Sequence, residues 1–158
     1  SRSGGAELAV RLGARSAEHL IEFNDEDIQR LAVSDVTCVL LPIADLYMKC
    51  AYPPARKLID AGARVALATD FNPGTAPSQD LALVGVLARL EMKMTLAEVL
   101  SAYTVGAAYA LGLENDLGSL SEGKFCDFSV LEGGLNELFF EVGRQPIARV
   151  YREAQRLR

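Results

Sequence analysis

The sequence predicts an α/β fold of parallel strand–helix units ending in a small β segment, and three observations predict it. "SAEHLI", "VTCVLLP" and "RVALATD" read as strands, and their spacings of about 20 and 28 residues leave room for the crossover that parallel neighbours require. The second and third runs are almost continuously apolar, as expected of strands covered on both faces. After about Leu117, helical periodicity gives way to short runs between Gly-rich turns, the texture of antiparallel strands.

Each element has its own signal. "GAELAVRLGA" carries apolar residues at helical spacing with a Gly near its end, hence a short helix before the first strand. In "NDEDIQRLAV" Asn24 can cap the helix, acids fill the first turn where the helix dipole favours them, and Ile28, Leu31 and Ala32 share a face. "LLPIADLYMK", after the second strand, reads as a loop. "PPARKLIDAG" has Pro at its start and Gly62 at its end, the usual helix asymmetry. After the third strand come the helix "SQDLALVGVLARLEMK", the helix "TLAEVLSAY" opened by a Thr95–Glu98 capping box, and the short helix "TVGAAYALGL", stopped by Gly112. "GSLSEGKFCDFSVLEGG" and "ARVYREAQRLR" supply the last short strands. These signals fit an open doubly wound sheet and a closed barrel equally. No G-x-G-x-x-G follows a strand and no phosphate-binding G-x-x-x-x-G-K-[ST] occurs, so nucleotide binding loses its best support.

Composition narrows the function class. With 158 residues the chain is one average domain, long enough for a sizeable core. A net charge of −5, and a basic tail without aromatic platforms, argue against nucleic acid. No apolar run approaches the ~20 residues that cross a bilayer, so no membrane partner is expected. No basic-then-apolar leader opens the sequence, and it begins at Ser1 rather than Met, as a processed product or a fragment does. Three unpatterned cysteines, Cys38, Cys50 and Cys126, suit a reducing cytoplasm, with Cys38 a buried thiol. They form no zinc-finger spacing.

In parallel α/β folds, ligands gather at the carboxyl ends of the strands. The first strand there carries His19, the only histidine, and the third ends at Asp70. Asp70 opens "DFNPGT", so it is either a turn-forming carboxylate or a metal ligand and proton shuttle. His19 is either a satisfied, partly buried ring or an acid at a reacting carbonyl. Asp45 and Tyr47 fall in the loop after the second strand, either solvated or touching a substrate.

"ATDFNPGT" resembles the loop after the last barrel strand of the imidazolonepropionase family of metal-dependent amidohydrolases. "GGAELAVRLGARSAEHL", the stretch from "VTCVLLP" to "RVALATD", "TVGAAYALGL" and "LGSLSEGKFCDFSVLE" are similar to the segments that accompany that loop. The resemblance covers nearly the whole sequence. It implies the C-terminal part of a TIM-like (β/α)8 barrel over residues 1–117, holding the last three strands and helices, followed by a β-sandwich segment over 118–158. It implies hydrolysis of 4-imidazolone-5-propanoate, a small-molecule substrate, to N-formimidoyl-L-glutamate. Asp70 matches the family's metal-ligating, proton-moving aspartate, His19 a catalytic histidine, and Asn72, Gly74 and Thr75 the substrate-holding loop. The implied cofactor is Zn or Fe, which lowers the pKa of bound water toward ~7. The family's H-x-H pair and its middle-strand histidine have no match here, so most metal ligands are absent and the isolated chain is expected to be inactive. A partial barrel leaves two open edges and uncovers one face of the second and third strands, so the chain is expected to self-associate or to rearrange. The alternatives are another cyclic amidohydrolase or deaminase, or a non-catalytic remnant acting as a binding or assembly module.

Overall fold

A computed structural model describes residues 4–157; the last residue of the basic tail and the first three of the chain lie outside the described residues. Strands β1 (Ser16–Glu18), β2 (Thr37–Leu40) and β3 (Val65–Leu67) form a parallel sheet in the order β1-β2-β3, with Ala17 opposite Cys38 and Val39 opposite Ala66. The helices between them are α1 (Gly5–Arg11) before β1, α2 (Asp25–Ala32), α3 (Pro42–Met48) and α4 (Ala55–Asp60). Beyond β3 come α5 (Leu81–Leu90), α6 (Leu96–Ser101) and α7 (Ala107–Leu111). A separate antiparallel sheet, β4 (Phe128–Leu131), β5 (Ile147–Arg152) and β6 (Gln155–Arg156), follows. The alternation of parallel strands and helices is that of a partial barrel.

Local chemistry explains most boundaries. Asn24 and Asp27 form a reciprocal capping box on α2, and Thr95 and Glu98 form another on α6. Glu98 also accepts from both terminal guanidinium nitrogens of Arg56 at 2.9 Å, which ties α4 to α6 and lowers its carboxyl pKa to about 2. Cys38 is fully buried, and burial alone pushes its thiol up to about 12.

Three expectations need correction. The first strand stops at Glu18, because His19 and Leu20 turn to φ 68° and 56°, outside the extended region. "LLPIADLYMK" is not a loop: Pro42 takes the first helical position, where its missing N–H costs nothing, and Pro42–Met48 coil into α3. Every residue of β2 and β3 is buried, so neither strand has lost a covering face. The helical run from Ala102 to Leu111 packs against both of them. Two sheet edges, on β1 and on β3, are unpaired among the described residues.

That helical run carries its own signature. Ala102–Gly106 form a π-helical turn that joins α6 to α7. A Cβ on Gly106 would lie 2.0 Å from the carbonyl oxygen of Val65 in β3. Only a glycine lets the helix approach the strand so closely. Gly106→Ala is therefore expected to destabilise the chain by about 1–3 kcal/mol, because the obstacle is backbone. Urea denaturation measures it, and an unchanged midpoint would show that β3 can yield.

The β segment is anchored by Phe139. Its ring sits where a Cβ on Gly85 of α5 would be, 5.2 Å from the Tyr103 ring, while its carbonyl accepts from Arg89 at 3.0 Å. Across β4 and β5, Phe128 and Tyr151 stack at 4.6 Å.

Candidate active site

Because β1, β2 and β3 are parallel, their carboxyl ends share one rim. The ladder runs a step past the strands: His19 N–H donates to the Val39 carbonyl at 3.0 Å, and Ala68 N–H to the Leu40 carbonyl at 3.2 Å. These bonds hold the outer strand ends in register with β2. His19 and Asp70, from opposite sides of the central strand, then meet, with Nε2 3.9 Å from Oδ2. That distance is electrostatic contact rather than a hydrogen bond. Both side chains are open enough for a ligand to reach. Asp70, like His19, has a left-handed backbone, at φ 54°. Non-glycine residues in that region cluster at functional sites, and Asp and His tolerate it better than most.

Asn72 organises the loop that follows. Its Oδ1 accepts from Gly74 N–H at 2.9 Å and Thr75 N–H at 2.8 Å. Its Nδ2 donates to the Asp70 carbonyl at 2.7 Å and to Thr75 Oγ1 at 3.0 Å. Asn72 N–H pairs with the Ala76 carbonyl, closing the loop on itself. The N–H groups of Gly74 and Thr75 thus point at Asn72 in this structure.

Sequence reasoning placed Asp45 in a loop, either solvated or touching a substrate, and the structure overturns the loop and its solvation. Asp45 lies in α3, directly after β2, with 2% of its surface exposed. Neither carboxylate oxygen has a hydrogen-bond partner among the described residues. Burial raises its pKa to about 6, with His19 lowering it and Asp70 raising it further, so the three groups form one electrostatic unit. Position next to a strand end was the only sequence signal. Tyr47, on the same helix, is exposed.

Asp70 is one potential metal donor. Among the described residues, no three His, Cys, Asp or Glu side chains stand where they could hold a metal together. Catalytic zinc sites generally use three protein ligands, so the described residues alone do not fit the metal that the resemblance implies. None of the described helices is long and apolar enough to cross a membrane.

Known proteins agree with this architecture. An imidazolonepropionase from Bdellovibrio bacteriovorus is 62% identical over 143 residues, covering 90% of this chain and 34% of that protein. One from Bacillus velezensis is 48% identical over 130 residues, covering 82% and 31%. The chain thus spans about a third of the length of these curated relatives. An adenosine deaminase from Xanthomonas campestris, crystallised with bound zinc, superposes at a TM-score of 0.83 with 22% identity, over 98% of this chain and 43% of that one. At that identity the likeness speaks for the fold alone. The profile described as the amidohydrolase family matches residues 6–155, taking in the parallel sheet, the rim and nearly all of the antiparallel segment. This chain belongs to the amidohydrolase family.

Proposed function

We propose that the chain is an incomplete part of a hydrolase that opens a cyclic amide, 4-imidazolone-5-propanoate, to N-formimidoyl-L-glutamate. The observation that carries this reading is the His19–Asp70 pair facing each other across the rim at 3.9 Å. The identity to imidazolonepropionases supports the choice of substrate.

The chemistry asks for two things, a proton carrier and a charge stabiliser. Asp70 takes a proton from the attacking water as its oxygen bonds to the amide carbon. His19 donates to the carbonyl oxygen as negative charge develops there. Asp70 then returns the proton to the ring nitrogen as the C–N bond breaks, so one group serves as base and then acid. The loop Asn72–Thr75 follows directly on Asp70; the resemblance makes Asn72, Gly74 and Thr75 its substrate-holding positions, and Pro73 limits the freedom lost on binding.

A divalent metal, zinc or iron, belongs to this reading, with Asp70 as its ligand from this chain. One carboxylate does not hold such an ion. Offered one equivalent of zinc and then desalted, the isolated chain is expected to retain none above background by elemental analysis. Stoichiometric retention would reveal a ligand set that this reading lacks. The division into a barrel part, 1–117, and a β-sandwich part, 118–158, is likewise proposed. So is self-association through the open edges of β1 and β3, which light scattering on a sizing column measures; a clean monomer counts against it.

The experiment for the function is a chimera. This chain replaces the matching 143 residues of the Bdellovibrio bacteriovorus imidazolonepropionase, and imidazolonepropionate turnover is followed. Activity within tenfold of that parent supports the reading. A folded, metal-loaded chimera without turnover leaves the non-catalytic alternative, and turnover of another cyclic amide or an aminopurine identifies a neighbouring activity.

A further inference from the structure

The His19–Asp70 pair depends on a backbone conformation that is uncommon for any residue but glycine. Asp70 holds φ 54°, and an L-residue stays there only when its surroundings over-determine it. The contact that does so is the shortest in the loop: Asn72 Nδ2 to the Asp70 carbonyl, 2.7 Å. The other amide hydrogen of Asn72 goes to Thr75 Oγ1, and its Oδ1 collects the N–H groups of Gly74 and Thr75. The amide has no hydrogen left over for a substrate unless one of these bonds breaks. Phe71 N–H, on the other side of the turn, has only the longer contact to Thr69 Oγ1 at 3.3 Å.

We propose that Asn72 is a positioning residue for Asp70: its side-chain amide locks the left-handed turn that aims the Asp70 carboxylate across β2 at His19. The catalytic meaning of that aim rests on the function proposed above, whereas the aim itself can be measured without turnover. This positioning role acts on the reaction through Asp70 and stands beside the substrate-holding role that the resemblance gives Asn72.

His19 is the sole histidine, so the 158-residue chain labelled at histidine gives one imidazole Cε1–H resonance. Asp70→Asn is expected to displace that resonance at a fixed, neutral pH. Asn72→Ala is expected to displace it in the same direction by at least half as much, and to add nothing when combined with Asp70→Asn. Thr75→Ala, which trims the same loop without touching the Asp70 carbonyl, is expected to move it far less. A resonance unmoved in a folded Asn72→Ala chain overturns the proposal. So does a resonance indifferent to Asp70→Asn, because there is then no pair to aim. Should Asn72→Ala fail to fold, Asn72→Ser takes its place: it keeps a short acceptor for the Gly74 and Thr75 N–H groups and lacks the amide donor. If neither variant folds, Asn72 holds the fold and not the aim, which also overturns the proposal. Failure of the chimera to hydrolyse imidazolonepropionate bears on the function alone and leaves this result intact.

Discussion

Asp70→Asn in the chimera is expected to lower kcat by about 10²–10⁴-fold, the range typical of removing a general acid–base group. Asparagine has the same shape and can still fill the turn, but it cannot accept a proton at neutral pH. The fold should survive, because the interactions that hold the loop run through the Asp70 backbone carbonyl and the Asn72 amide rather than through the carboxylate. KM should change much less than kcat, since a proton carrier acts mainly in the transition state. Steady-state kinetics decide it: a kcat within threefold of the unsubstituted chimera would remove Asp70 from the mechanism.

The second large effect concerns stability and pH. Asp45 has its pKa raised from 3.8 to about 6, chiefly by burial. A carboxyl that binds its proton more tightly when folded makes the folded state bind more protons than the unfolded one between pH 4 and 6. Stability therefore falls as pH rises through that window, and levels off above it. The difference of about 2 pH units corresponds to about 3 kcal/mol lost above pH 6, as an order of magnitude. Asp45→Asn removes the charge at nearly constant volume. It is expected to match the parent chain near pH 4 and to exceed its stability at pH 8 by up to that amount. Urea midpoints at the two pH values measure this. A variant–parent difference that stays constant from pH 4 to pH 8 would falsify the buried charge. The same comparison in the chimera shows whether a stabilised chain loses activity, as expected where a strained charge serves the site.

Which features were legible follows the range of the forces involved. The capping boxes at Asn24–Asp27 and Thr95–Glu98 join residues three apart, so the letters almost specify the bonds. Gly62 and Gly112 end their helices in left-handed conformations for the same local reason. The apolar runs of β2 and β3 announced burial, and both strands are buried. Helix α3 was hidden because its first turn continues the apolar run of β2, and Pro42 reads equally as a stop and as a start. The likeness around "ATDFNPGT" pointed at Asp70 and His19, yet spacing alone left each with an ordinary structural reading.

Chain order thus prescribed the alternation of strands and helices, their caps and the rim on which His19 and Asp70 stand, because those rest on side-chain periodicity and on contacts within a turn. Distance between His19 and Asp70, the closing of solvent over Asp45, the π-helical turn at Gly106 and the grip of Asn72 on the Asp70 carbonyl arose in space. The first three depend on parts of the chain remote in sequence packing against one another, where low dielectric and steric contact set the outcome. The last is local in sequence but needs a left-handed residue, which an Asp tolerates without requiring.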